Sequence, residues 1–144
     1  MLVRLSPDYA AVKAKIDEAV GKTFTLEERK RLENTSSANH EITGASIEIY
    51  NLLVLNENRP TCSLEMRPNG IVISFRSALD TYALVIPNHK LRIYKGSAEN
   101  YSFHKDQHFI KIWVDRTDAE LHKFIKKIRN SKSDNADTRV EDLL

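Results

Sequence analysis

The feature that most constrains the fold is an alternation of apolar and polar residues that runs, between tight turns, from residue 61 to residue 114. Alternation with a period of two places every second side chain on the same face of a β-strand. Residues 68–70 (Pro-Asn-Gly) and 87–88 (Pro-Asn) are typical turn sequences, and they divide this region into short strands. The pattern therefore predicts a strand-rich antiparallel domain.

Seven strands are predicted in all. They cover residues 47–55, 61–67, a segment containing Ile71, Ile73 and Phe75, and residues 81–86, 89–95, 100–104 and 108–114. In the second strand Cys62, Leu64 and Met66 share one face, which we expect to point into the core. The polar run at residues 34–41 is predicted to be a loop or linker.

Two helices are predicted before the strands. The first begins at Ser6 as N-cap and ends at Gly21. Its apolar stripe recurs at three to four residues and consists of Tyr9, Val12, Ile16 and Val20. The second helix is short and charged, and Thr25 and Glu28 have the spacing of a capping box at its start.

A third predicted helix follows the last strand. Thr117 and Glu120 again have capping-box spacing. The helix then shows a core-facing stripe at i, i+3, i+4 and i+7, formed by Leu121, Phe124, Ile125 and Ile128. From residue 132 the chain is polar and is predicted to be a disordered tail.

The order of seven strands followed by one amphipathic helix resembles the pleckstrin-homology-like (PH-like) barrel over residues 40–131. The resemblance implies an α+β fold: a helical segment at residues 1–39, then a curled antiparallel sheet or barrel closed by the C-terminal helix. Members that bind phosphoinositides carry several basic residues around the first strand connection. Here that loop is residues 56–60, with Arg59 alone, so phosphoinositide binding is not predicted.

No catalytic, metal or cofactor motif stands out in the sequence. The four glycines are isolated at turns or caps, so no phosphate-binding loop is predicted. The single cysteine, Cys62, excludes an intramolecular disulfide and is expected to be buried and inert. We therefore predict a non-catalytic protein without cofactor or metal.

The stretch from residue 101 to residue 114 contains His104 and His108, four residues apart. In a hairpin whose two- or four-residue turn is centred on Lys105 and Asp106, Phe103 pairs with His108 and the two histidines lie on opposite faces of the sheet. A three-residue turn would instead place them opposite each other, where they could share a ligand. The first register gives the longer apolar face and is preferred, but the sequence leaves both open.

Basic residues concentrate in the second half of the chain. Residues 87–132 contain eight Lys and three Arg against five acidic residues, although the whole chain has a net charge of only +2. Two groups are candidate contacts for a partner or an anion: the outward face of the fifth strand and the polar face of the last helix. The candidate residues are Lys90, Arg92, Tyr94, Lys123, Lys126, Lys127 and Arg129.

These observations favour a non-catalytic binding or scaffold module whose partner is a protein or a second copy of the chain. One alternative is a cone-shaped, small-ligand-binding or enzymatic pocket domain similar to nuclear-transport-factor-2 folds, and another is nucleic-acid contact through the basic residues. No signal peptide and no transmembrane segment is predicted, and together with the single cysteine this favours a cytoplasmic protein.

Overall fold

The computed structural model describes residues 1–5, 9–97 and 99–143, with side chains as far as residue 132. The fold is α+β. In chain order its elements are β1 (Leu2–Arg4), α1 (Tyr9–Val20), α2 (Leu26–Leu32), β2 (Ser36–Ala45), α3 (Ile47–Leu53), β3 (Thr61–Arg67), β4 (Gly70–Ser77), β5 (Asp80–Pro87), β6 (Arg92–Lys95), β7 (Asn100–Lys105), β8 (His108–Trp113) and α4 (Ala119–Leu143).

All eight strands belong to one antiparallel sheet with the order β1-β5-β4-β3-β2-β8-β7-β6. β2 joins its two halves, because its first part pairs with β3 and its second part with β8. The register shifts twice along β2, between Ser37 and His40 and between Ile42 and Gly44. Such irregularities bend and twist a strand, which lets the two halves curl round a common core.

The sheet is not closed into a barrel, since the two edge strands β1 and β6 do not pair within the described part of the chain. One main core lies inside the curl and draws buried residues from both halves, including Leu64, Ile73 and Leu84 from one and Phe103 and Ile112 from the other. α4 covers this core with the predicted stripe, whose four members are all buried; they are Leu121, Phe124, Ile125 and Ile128.

α1 packs on the opposite face of β4 and β5. Its buried residues Ile16 and Val20 contact a second, smaller core that also contains Val72, Ala83 and Val85. Arg67 fastens the end of this helix to β3. Its guanidinium lies 3.0 Å from Asp17 and donates to the carbonyl oxygen of Gly21 at 2.7 Å.

Several predictions of local structure are confirmed. β3 has the predicted bounds, and Cys62, Leu64 and Met66 are buried. Gly21 follows the last residue of α1 with φ +88°, the left-handed conformation expected of a glycine at a helix end. The predicted N-cap of α1 at Ser6 lies outside the described residues.

Both sides of the capping box of α2 are formed. The Glu28 amide donates to the Thr25 hydroxyl at 3.2 Å, and the Thr25 amide donates to the Glu28 carboxylate at 3.0 Å.

Two predictions in the middle of the chain are wrong. Residues 34–41 were expected to form a loop, but most of them lie in β2. Residues 47–55 were expected to form a strand, but Ile47–Leu53 is the helix α3. In α3 the buried residues Ile49 and Leu53 are four apart, which is the spacing of a helix face.

The predicted capping box of the last helix is also wrong. Thr117 donates its hydroxyl to Asp115 at 2.8 Å and lies in the turn before the helix. The cap is Asp118, whose carboxylate accepts the amide hydrogen of Leu121 at 3.1 Å.

The predicted domain division stays a prediction, although its boundary between residues 39 and 40 falls within β2. β1 is part of the sheet, so the segment before residue 40 is not purely helical. The backbone of α4 continues to Leu143. Side chains from residue 133 onward lie outside the described part, and the disordered tail stays a prediction.

Candidate functional site

The single thiol of the chain is not placed for chemistry. Cys62 points into the core and is 3% exposed. Burial raises the pKa of this thiol to about 12. Since the thiolate is the reactive form, Cys62 is unreactive at neutral pH. Among the described residues, no group of three or more His, Cys, Asp or Glu side chains could hold a metal ion.

The final hairpin, β7–β8, separates the two histidines that the sequence brings close. Lys105 pairs with His108 and His104 with Phe109, across a two-residue turn. The predicted pairing of Phe103 with His108 is therefore wrong by two residues. Because a shift of two residues preserves the faces, His104 and His108 still lie on opposite sides of the sheet, as the preferred alternative predicts.

The predicted apolar face of the hairpin is confirmed. It is buried in the main core and consists of Tyr101, Phe103, Ile110, Ile112 and Val114. His108 lies at its outer end, half-buried, with Nε2 3.6 Å from a carboxylate oxygen of Glu48 on α3.

Part of the predicted basic face of α4 is engaged within the protein. The ammonium of Lys123 lies 3.5 Å from the Glu33 carboxylate. Lys127 donates to the backbone carbonyl oxygens of Leu32 and, at 3.2 Å, of Asn34. These contacts fasten α4 to the segment after α2, so this flank of the helix is structural.

The predicted stripe on β6 points outward, as expected. Arg92 and Tyr94 are exposed, and the Tyr94 ring meets the His104 ring edge-on at 5.0 Å between centroids. Lys90 lies before the strand, with its ammonium 3.4 Å from the Asp106 carboxylate. Their role as partner contacts stays a prediction.

The other flank of α4 borders a groove of about 530 Å³ beside the β6–β7 hairpin. We call it the basic groove. Its lining includes Tyr101, His122 and four cations, Lys95, Arg116, Lys126 and Arg129. None of the described residues that line it is acidic. Of the four cations, Arg116 has a carboxylate within reach, that of Glu99 at 4.0 Å. Two of the four cations, Lys126 and Arg129, are among the residues predicted to contact a partner or an anion, and that role stays a prediction.

The inner wall of the basic groove is held by a chain of hydrogen bonds. His122 Nε2 lies 3.1 Å from the carbonyl oxygen of Asp115, and Nδ1 lies 2.8 Å from the Tyr101 hydroxyl. Because a carbonyl oxygen only accepts, Nε2 donates, and the neutral ring accepts the Tyr101 hydrogen at Nδ1. The Lys95 ammonium sits 5.6 Å from the centroid of the Tyr101 ring, within the range of a cation–π contact.

α3 turns one face into the core and leaves the other uncovered. Ile49 and Leu53 are buried, whereas Ile47, Tyr50 and Val54 are exposed by 69%, 53% and 55%. We call Ile47, Tyr50 and Val54 the α3 patch. Three large apolar side chains on one exposed face of a short helix are a departure from an ordinary polar surface.

An apolar groove of about 320 Å³ adjoins the α3 patch, between α3 and β2. Its lining includes Ile42, Gly44, Ala45, Tyr50 and Val54, and none of the described residues around it is charged. Tyr50 and Val54 belong to both features, so the patch and the groove form one continuous surface.

Sequence reasoning missed the α3 patch because the segment was interpreted as a strand. One signal could have found it: the apolar residues Ile49, Leu52 and Leu53 already have helical spacing. Lys95 and Arg116 were missed because they lie on different elements, and a linear pattern carries no information about their proximity.

Comparison of the chain with protein-family models, with curated proteins and with solved structures found no match in any of the three. The resemblance to a PH-like barrel therefore stays a prediction. Across the described residues, no helix is long and apolar enough to cross a membrane.

Proposed function

We propose that this chain is a non-catalytic binding module that engages a protein partner through the α3 patch and its apolar groove. The observation that carries the proposal is the exposure of Ile47, Tyr50 and Val54 on one face of a helix that is otherwise fixed by its buried face. Contiguous apolar surface of this kind is typical of sites where proteins meet.

The chemistry of the surface defines the partner. Because the described lining of the apolar groove carries no charge, it matches an uncharged, apolar side chain inserted by the partner. Burying one such side chain contributes about 1.5–3 kcal/mol, before the cost of association. Tyr50 at the rim offers a rigid ring with a polar end, the combination enriched at binding hot spots.

The edges of the sheet favour the α3 patch as the binding site over a partner strand that pairs with β1 or β6. β1 has three residues and β6 has four, and both carry charged residues, with Arg4 on β1 and Arg92 and Lys95 on β6. Short, charged edges are a known protection against pairing with another strand.

The filled interior of the protein also favours a binding site on the surface over an internal pocket. Side chains from both halves of the sheet and from α4 fill the main core, and many of them are fully buried. A cone-shaped pocket for a small ligand would need an open interior of a few hundred Å³.

Site-specific photo-crosslinking tests the proposal with a matched pair of tyrosines. Tyr50 and Tyr9 are equally exposed, each by 53%, but Tyr9 lies on α1, away from the α3 patch. A benzophenone amino acid placed at position 50 should cross-link to a discrete protein in cells, and the same probe at position 9 should not. In the position-50 chain, Ile47→Ser together with Val54→Ser should remove the cross-link.

The outcomes distinguish three cases: no specific partner, a different protein as the partner, and a second copy of the chain as the partner. Equal cross-linking at both positions, or a position-50 product that survives the double substitution, would overturn the proposal. A product of twice the mass of the chain, with a dimer in light scattering, would identify the partner as a second copy. Thermal unfolding of the double variant should match that of the unsubstituted chain, since both replaced side chains are exposed.

A further inference from the structure

We propose a second binding site, independent of the α3 patch: the basic groove takes a small ligand that carries two or more phosphate groups. The groove brings Lys95, Arg116, Lys126 and Arg129 together from β6, the turn before α4 and α4 itself. Four cations on a concave surface without a lining carboxylate create a positive potential that attracts anions.

Three of the four cations of the groove, Lys95, Lys126 and Arg129, have no carboxylate within 4.0 Å among the described residues. Lys123, on the opposite flank of the same helix, is paired with Glu33. Lys13, Arg4 and Arg59 likewise lie within 4 Å of carboxylates. In the basic groove only Arg116 has such a neighbour among the described residues, and at 4.0 Å that pair is at the limit of contact.

The kinds of donor present favour phosphate. Each guanidinium offers a planar fork that can bind two oxygens of one phosphate group, while each ammonium acts as a mobile point charge. A phosphate monoester carries about −1.5 to −2 charges at neutral pH, so two such groups balance four cations. The groove volume, about 530 Å³, falls within the range of small-ligand sites.

The inner wall supplies a fixed surface against which such a ligand can be positioned. Tyr101 is held by the hydroxyl contact to His122, which is itself held by the carbonyl of Asp115. Groups that are already oriented lose little entropy when a ligand binds. The exposed parts of the site are the side chains of Lys95, Lys126 and Arg129.

The arrangement is less suited to a nucleic-acid strand, which needs a continuous track of cations and stacking rings. Arg92 and Tyr94 could extend such a track along β6. Neighbouring residues of a strand point to opposite faces, however, so Tyr94 lies on the other side of the sheet from Lys95. The cations of the groove and the stripe on β6 are therefore two separate surfaces.

A titration of the full chain with pyrophosphate, followed by two-dimensional amide NMR at about 20 mM salt, tests the proposal, because electrostatic binding is strongest at low salt. Changes in amide chemical shift should concentrate in residues around the basic groove. Lys95→Gln combined with Lys126→Gln should weaken pyrophosphate binding roughly tenfold or more, the loss expected for two charge contacts of about 0.7 kcal/mol each.

The matched control is Lys123→Gln combined with Lys30→Gln. It removes the same two charges from exposed positions outside the groove and should change the affinity less than twofold. Equal weakening in both double variants would show that pyrophosphate responds only to net charge, and would overturn the site. Absence of pyrophosphate binding to the unsubstituted chain would overturn it as well.

Two further probes define the ligand class. Inorganic phosphate should bind at the same residues but more weakly than pyrophosphate, because it carries one phosphate group. Citrate, a carboxylate anion of comparable charge, should bind less tightly than pyrophosphate; equal affinity would overturn the phosphate assignment. A single-stranded oligonucleotide that shifts Tyr94 and Arg92 together with the groove would overturn the small-ligand assignment in favour of a nucleic acid.

Discussion

At the scale of single residues, His40 is the titratable group whose environment departs most from what the sequence indicated. It was placed in a polar linker, but it lies in β2 and is 9% exposed. Its Nε2 lies 2.7 Å from the Ser37 hydroxyl, across the irregular part of the strand. Burial lowers the pKa of His40, and the carboxylate of Asp118 opposes the effect without reversing it.

This shift predicts an acid-sensitive contribution to stability. The pKa of His40 is lower in the folded chain than its ordinary value of 6.5, so the unfolded chain takes up the proton first. The contribution is fully present above about pH 6.5 and is lost as the pH falls toward the folded value. His40→Gln should therefore make the free energy of unfolding less sensitive to pH between pH 7 and pH 5.

Urea unfolding at pH 7.0, 6.0 and 5.0 measures the effect. His89→Gln is the matched control, because it makes the same substitution at an exposed histidine. The pKa of His104 is also lowered by burial, so His40→Gln should remove part of the acid sensitivity and leave a remainder. If His40→Gln loses stability with acid as steeply as the His89→Gln control, the interpretation of His40 is wrong.

At the scale of elements, the hairpins were predictable, whereas β2 and α3, which precede them, were not. The turn at residues 68–70 and the alternation on both sides of it determine β3 and β4, because both signals are local. β2 and α3 depend on distant partners instead. β2 is polar, and its extended conformation is stabilised by β3 on one side and β8 on the other. α3 has an apolar composition that suits either conformation.

Gly70 provides a prediction for the β3–β4 hairpin and its contact with α1. A Cβ atom at this position would meet the backbone carbonyl oxygen of Ile86 at 2.3 Å and a methyl group of Val20 at 2.6 Å. Gly70→Ala should therefore push β5 or α1 away and cost about 1–3 kcal/mol of stability, the usual cost of overpacking.

Gly44→Ala is the matched control within the same sheet. A Cβ atom there would meet only the Lys111 side chain, at an ordinary contact distance of 3.6 Å. Thermal or urea unfolding of the two variants should show a clear loss for position 70 and little change for position 44. Equal stability of the two variants would mean that the close approach of β5 and α1 to Gly70 is not as described.

At the scale of the whole molecule, the candidate surfaces were predictable only in part. Lys126 and Arg129 could be placed on one face of a helix from the sequence, because helical spacing is a local property. Lys95 and Arg116 join them only after β6, β7 and α4 have packed together. The α3 patch required the conformation of its segment to be known, since a strand would have placed Ile47 and Ile49 on one face.

The joining of the two halves of the sheet by β2 has a consequence for folding. Both halves contribute to the same main core, and α4 packs over it. Disruption of either half should therefore expose apolar surface of the other, which favours a single cooperative transition. Leu84 lies in β5, fully buried in one half, while the single tryptophan, Trp113, lies in β8 of the other half.

We expect Leu84→Ala to cost about 2–5 kcal/mol, the usual range for such a cavity, and to lower the urea midpoint reported by Trp113 fluorescence as much as that reported by far-ultraviolet circular dichroism. The control is Leu79→Ala, in the β4–β5 turn, where the side chain is 91% exposed. This substitution should shift neither of the two urea midpoints. If Trp113 kept its original midpoint in the Leu84 variant, the halves would unfold independently. The shared core would then not couple them, and β2 would act as a connection between two separately stable sheets.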